Sequence, residues 1–272
     1  RLGIGNVPLE ADINYPEDSF KMDDDNLVDI LHDVTNKSKI RQGAPIVYSM
    51  AEKNISALIS KNSDDLMNML KSLLIQLVTF HSYEDLKLVF WISDRKKWEF
   101  VKMLPHIWND SREIRFFSDE YSEIERISKY LEEDWKNRTK EDNNFDRSDY
   151  KSFSPYYLII TDDYKKIEDI RIIQKILDTK TNIGFSMLFL TKDWVQLPNE
   201  CKTFITFDEN RGQIFESRLE EGKQKKFNIH FPEEYLFDEI SEKLSNIPIK
   251  YSISGKNELP AVYPFLEMFD TT

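Results

Sequence analysis

One cysteine in 272 residues is too few for a disulfide framework or a thiolate metal site, and Cys201 fits a reducing compartment. Histidine is nearly as scarce. His32, His81, His106 and His230 have no partners at metal-ligand spacing, so no metal is expected. No apolar run approaches the roughly 18 residues needed to span a bilayer, and no signal peptide opens the chain. Basic residues are in deficit, 37 Lys and Arg against 49 Asp and Glu, for a formal net charge of −12. That balance opposes a nucleic-acid partner, which would need clustered Lys and Arg. A start on Arg1 rather than Met carries the expectation of a piece cut from a longer protein.

What is present suits a buried core: 40% of residues are hydrophobic and 13% aromatic. Residues 1–50 read as extended, with Gly3 and Gly5 at alternate positions, punctuating prolines, and a short helical stretch over 23–34. From residue 54, continuous apolar runs alternate with helical patterns. Strands are expected at 54–60, 86–93, 114–118, 156–161, 185–191 and 203–207, and helices at 64–79, 98–103, 119–138, 165–178 and 233–245. Apolar runs without alternation are what strands show when helices cover both faces of a sheet. The fold class is therefore α/β, a mainly parallel doubly wound sheet with a β-rich N-terminal extension. A polar loop is expected at 141–155 and a hairpin over 211–231, turning at Glu221-Gly222. The organisation that follows is an extension at 1–50, an α/β domain at 51–250, and a linker at 251–272 ending in a docking peptide.

Strand, turn and helix meet at "SALISKNSDDLMNMLKSLLIQL" (56–77), the arrangement in which nucleotide-binding proteins keep a phosphate loop. Leu66, Met69, Leu70, Leu73, Leu74 and Leu77 fall on one helical face, with Ser63 the expected N-cap and Asp64 and Asp65 in the first turn. A working G-x-x-x-x-G-K-[ST] loop needs glycines, a lysine and a hydroxyl. Those positions are Ser60, Asp65, Leu66 and Met67 here, and Lys61 is misplaced. A carboxylate about 5 Å from a phosphate oxygen costs about 3 kcal/mol at an effective dielectric near 20. No ordinary phosphate loop is expected, and no cofactor.

"YYLIITDD" (156–163) ends an apolar strand in two acids, Asp162 and Asp163, where P-loop enzymes hold Mg²⁺ and orient the attacking water. An acid at a strand end also caps a following helix, and that reading has the stronger claim. Thr191 occupies a position where such folds place a polar sensor. His81 reads as a helix-end residue and His106 as a half-buried one among aromatics. Trp91, Trp98 and Trp108 cluster in sequence, which suggests a contact face.

"LLIQLVTFHSYEDLKLVFWISD" (73–94), followed by "WEFVKMLPHIWND" (98–110), resembles EssC-type proteins. These are the membrane-anchored FtsK/SpoIIIE-like ATPases of bacterial type VII secretion, called YukB in bacilli and EccC in mycobacteria. "RLGIG" resembles the segment after that family's transmembrane helices, and "LPAVYPFLEMF" the linker into its first conserved ATPase module. The resemblance implies a degenerate ATPase-like domain between membrane and motor modules, on the cytoplasmic side of the cell membrane. Its implied partners are the downstream ATPase domains of the same protein, other secretion-complex subunits and fellow protomers of a hexamer, with membrane contact only through a preceding segment. No catalytic residue carries over. Ser60, Lys61, Asp64 and Asp65 stand at vestigial Walker A positions, Asp162 and Asp163 at vestigial Walker B positions. The implied role is a non-hydrolytic scaffold. The alternative is a divergent NTPase or nucleotide sensor using Asp162 and Asp163, with Lys61 and Arg211 as the nearest substitute cradle.

Overall fold

The computed structural model describes residues 1–8, 40–142, 153–179, 181–216, 224–233 and 235–247, with positions 30, 33, 34 and 37. Most of the 23–34 stretch, most of the 141–155 loop, the Glu221-Gly222 turn and the 251–272 linker lie outside the described residues. The strands are β1 Gly3–Pro8, β2 Ile40–Ile46, β3 Ile55–Ile59, β4 Leu86–Trp91 and β5 Phe117–Ser118. They continue with β6 Tyr156–Thr161, β7 Phe185–Thr191, β8 Thr203–Asp208, β9 Arg211–Phe215 and β10 Lys225–Asn228. All ten form one sheet in the order β2-β1-β10-β9-β8-β3-β7-β6-β4-β5. From β8 to β5 every pairing is parallel, and from β8 outward to β2 every pairing is antiparallel.

The helices are α1 Ser63–Phe80, α2 Tyr121–Asp142, α3 Tyr164–Ile167, α4 Arg171–Asp178 and α5 Leu236–Ser245. They cover both faces of the parallel half, so successive residues of one strand enter opposite cores. Leu88 and Phe90 pack with Leu70 and Leu74 of α1 and Phe237 of α5, while Val89 and Trp91 pack with Ile127 of α2 and Ile173 of α4. Each such side chain is worth about 1.5–3 kcal/mol on burial. Six of them, Leu66, Met69, Leu70, Leu73, Leu74 and Val78, fix α1 on the sheet. Leu77, expected on that face, is only half-buried.

Four local expectations change. Residues 98–103 belong to a 3-10 helix, Arg95–Met103, started by Asp94, whose side chain accepts from Lys96 N–H. The single helix expected at 165–178 breaks into α3 and α4, and the strand at 114–118 shortens to two residues. Trp91 and Trp98 are each 1% exposed and sit in opposite cores, so the tryptophan cluster is core rather than a contact face. Trp108 is half-buried under the Arg115 guanidinium, 5.2 Å from its ring.

Gly3 and Gly212 explain how the wing closes. β10 lies between β1 and β9, and the Phe227 ring occupies the space that a Cβ at either glycine would need. Phe227 thereby reaches the core that Ile205, Phe207 and Phe237 line.

Candidate functional site

Only Ser60, Lys61 and Asn62 separate β3 from α1. The turn is closed on itself: Ser60 N–H donates to the Thr191 carbonyl, Asn62 N–H to Ser60 Oγ, and Asp64 N–H to Asn62 Oδ1 at 2.9 Å. Asn62, not Ser63, is the N-cap. An amide oxygen at that place satisfies a donor that a phosphate would otherwise take. Asp65 is committed as well, its Oδ2 accepting from Glu209 N–H at 3.1 Å and tying α1 to the β8–β9 turn. Glu209 sits there at φ 48, in the left-handed region. Asp64 is exposed in the first turn, where its charge suits the helix dipole.

The two acids after β6 part company. Asp162 accepts from Ser93 N–H at 2.7 Å, from Ser93 Oγ at 2.8 Å and from Trp98 Nε1 at 3.2 Å. Its carboxylate therefore bolts the end of β6 to the end of β4 and to a core tryptophan. Asp163 is the N-cap residue of α3, without a side-chain cap bond, and its N–H donates to Thr161 Oγ1. Thr191 builds the turn after β7, its Oγ1 donating to the Asp193 carbonyl at 2.9 Å and accepting from Asp193 N–H. Asp193 in turn starts the 3-10 helix Trp194–Gln196.

A cavity of about 1100 Å³ opens beyond the carboxyl ends of β3, β7 and β8 and along one face of the antiparallel strands. Carboxyl ends of parallel strands are where open α/β sheets take their ligands. The strand register sets its floor: Thr206, Gln213 and Lys226 stand side by side, as do Asp208, Arg211 and Asn228. Lys61, Lys192, Arg211 and Lys226 bring four cations to it, against the carboxylates of Asp193 and Asp208. All four cations are exposed, and none forms an ion pair among the described residues. Half-buried Trp194 forms one wall, backed by the rings of Phe204 and Phe215.

The structure thus brings Ser60 and Lys61 to the cavity, keeps Asp64 and Asp65 at the helix start, and leaves Asp162 and Asp163 out of the lining. Lys192 and Lys226 were not legible as site residues. Lys192 follows the apolar run "FSMLFLT" directly, a strand-end signal that was available; Lys226 carries none. His106 lies elsewhere, fully buried rather than half-buried, with Nε2 2.9 Å from the His81 carbonyl and Nδ1 unpartnered. Burial holds its pKa below the usual histidine range, Lys87 adding to the effect, while the bond to His81 opposes it. His81 itself is the C-cap of α1, as expected. Among the described residues no cluster of metal-binding side chains occurs, and no helix is long and apolar enough to cross a membrane.

No family model matches the chain. It is 24% identical over 275 residues to the type VII secretion system protein EssC of Staphylococcus aureus, an alignment covering 99% of this chain and 18% of that protein. It matches the ESX secretion system protein YukB of Bacillus subtilis equally, at 24% and the same coverage. The chain thus spans under a fifth of the length of these relatives. Among solved structures, EssC (ATPases 2 and 3) from Geobacillus thermodenitrificans superposes with a TM-score of 0.57 at 12% identity, over 79% of this chain and 48% of that one. The cytoplasmic domain of the type VII secretion ATPase EccC from Thermomonospora curvata gives 0.51 at 9%, over 70% and 25%. Along its whole length the chain is similar to the EssC and YukB proteins, and it shares the fold of the solved EssC and EccC ATPase structures.

Proposed function

We propose that this chain is a non-hydrolytic, ATPase-like scaffold domain of a membrane-anchored type VII secretion protein, coupling its membrane part to ATPase domains further along the same polypeptide. The observation that carries the reading is that Ser60, Asp65 and Asp162, three of the six groups at the vestigial Walker positions, are bonded inside the fold. Asn62 and Ser60 satisfy the donors of the α1 turn, Asp65 holds Glu209 N–H, and Asp162 is spent on Ser93 and Trp98. A group already bonded inside the fold must break those bonds to serve a nucleotide, and the buried Trp98 Nε1 donor, left unpaired by Asp162, would cost about 1–3 kcal/mol. The working parts are then surfaces toward the membrane part, the other ATPase domains and fellow protomers, at the cytoplasmic side of the cell membrane.

A second reading, nucleotide sensing without hydrolysis, is favoured by the four cations around the 1100 Å³ cavity. Calorimetric titration of the chain with ATP, with and without Mg²⁺, separates the two. No heat up to about 1 mM, where binding is worth about 4 kcal/mol, supports the scaffold. Heat that survives Asp162→Ala but vanishes in Arg211→Ala transfers the function to the cavity. Mg²⁺-dependent heat that vanishes in Asp162→Ala, with phosphate release, establishes a divergent NTPase and overturns both.

A further inference from the structure

At the opposite ends of the parallel strands, where β4 and β6 begin, a second pocket of about 290 Å³ is lined by Lys87, Asp110, Glu84, Tyr83, Trp108 and Arg112, among others. Lys87 is its anomaly. Its side chain is 2% exposed, in a strand otherwise filled with apolar residues. An ammonium carries three donors and is costly to bury. Among the described residues its only ion-pair acceptor is Asp110 Oδ1, at 2.8 Å, and the Tyr83 ring centroid lies 5.6 Å away.

Asp110 is delivered by a stiff loop. Asn109 N–H donates to the Ile114 carbonyl, Asn109 Oδ1 accepts from Ile114 N–H, and Arg112 N–H reaches the Asn109 carbonyl with Arg112 at φ 57. The Trp108–Arg115 bridge closes the base of that loop. Asp110 itself remains 61% exposed, so one side of the ion pair faces solvent and the pocket.

We propose that this pocket binds a zwitterionic ligand of amino-acid size, a free amino acid, through Lys87 and Asp110. The ligand carboxylate supplies the buried ammonium with a second acceptor besides Asp110, beside the cationic Arg112. Its amino group is placed against Asp110 and Glu84, and its side chain against Trp108 and Tyr83. Two carboxylates in the lining disfavour a phosphate dianion, and the volume is at the lower end for small-molecule sites. The site is independent of the nucleotide question, because it shares no residue with the cavity at the other ends of the strands.

The test is thermal unfolding of the chain with each of the twenty standard L-amino acids at about 10 mM, tenfold above a Kd of about 1 mM. At least one is expected to raise the Tm, and its amide, which lacks the carboxylate, to bind at least tenfold more weakly. In Lys87→Met the shift is expected to disappear. The inference is overturned if no amino acid shifts the Tm, if the amide acts as well as the acid, or if Lys87→Met still binds. Should Lys87→Met fail to fold, the acid-against-amide comparison on the unaltered chain decides alone.

Discussion

The parallel half of the sheet and its antiparallel wing are continuous in hydrogen bonding yet obey different rules. In β4 every residue is buried, because helices press on both faces. In β10 only Phe227 is buried, and Lys225, Lys226 and Asn228 stay exposed. The parallel half spends its residues on stability, whereas the wing keeps one polar face free, and that face floors the larger cavity. A ligand or partner surface is therefore available where the sheet changes from parallel to antiparallel, without sacrifice of core.

Substitutions across that boundary test the difference. Phe90→Ala, which removes a fully buried ring 5.6 Å from Trp98, is expected to cost about 3–5 kcal/mol, read by urea unfolding, while Lys226→Ala stays within about 0.5 kcal/mol. Equal effects would erase the distinction between the halves. Gly212→Val places carbons in the space of the Phe227 ring and is expected to destabilise by about 1–3 kcal/mol, a large effect from a wing strand. A silent Gly212→Val would mean that β10 is not held against β9 as described.

Two smaller effects sharpen the picture of the strand ends. Asn62→Ala is expected to cost about 1 kcal/mol and Ser63→Ala much less, since the cap bond comes from Asn62. The reverse order would restore Ser63 as the cap. His106 gives the smallest effect. Its pKa is depressed in the folded chain, so the unfolded chain binds more protons as pH falls below the ordinary value of about 6.5. Its contribution is complete above that value and is lost as pH falls through the depressed one. A Tm series over this range is expected to slope downward toward acid, and less steeply in His106→Gln.

Much of the parallel half was legible. Runs such as "YYLIIT" and "FSMLFLT" have no alternation, and only burial on both faces accounts for that. The wing was legible in pieces. The β9–β10 hairpin shows in sequence, but the pairing of Ile4 with Asn228 joins residues more than two hundred positions apart, and no local pattern encodes it. For the candidate site, Lys61 and Arg211 could be named from their neighbourhoods and Lys192 carried a strand-end signal, whereas Lys226 acquires meaning only beside them.

The sequence by itself determined the α/β class, the main helix and strand positions in the parallel half, and the missing glycines and lysine of a phosphate loop. Those properties follow from side-chain chemistry and local periodicity, which need no partner to be read. Tertiary structure alone decided that Asp65 holds the β8–β9 turn, that Asp162 is bound to Ser93 and Trp98, and that Lys87 is buried beside Asp110. Each of these depends on which atoms the completed sheet brings within about 3 Å of one another, and hydrogen bonds and ion pairs are decided at that distance.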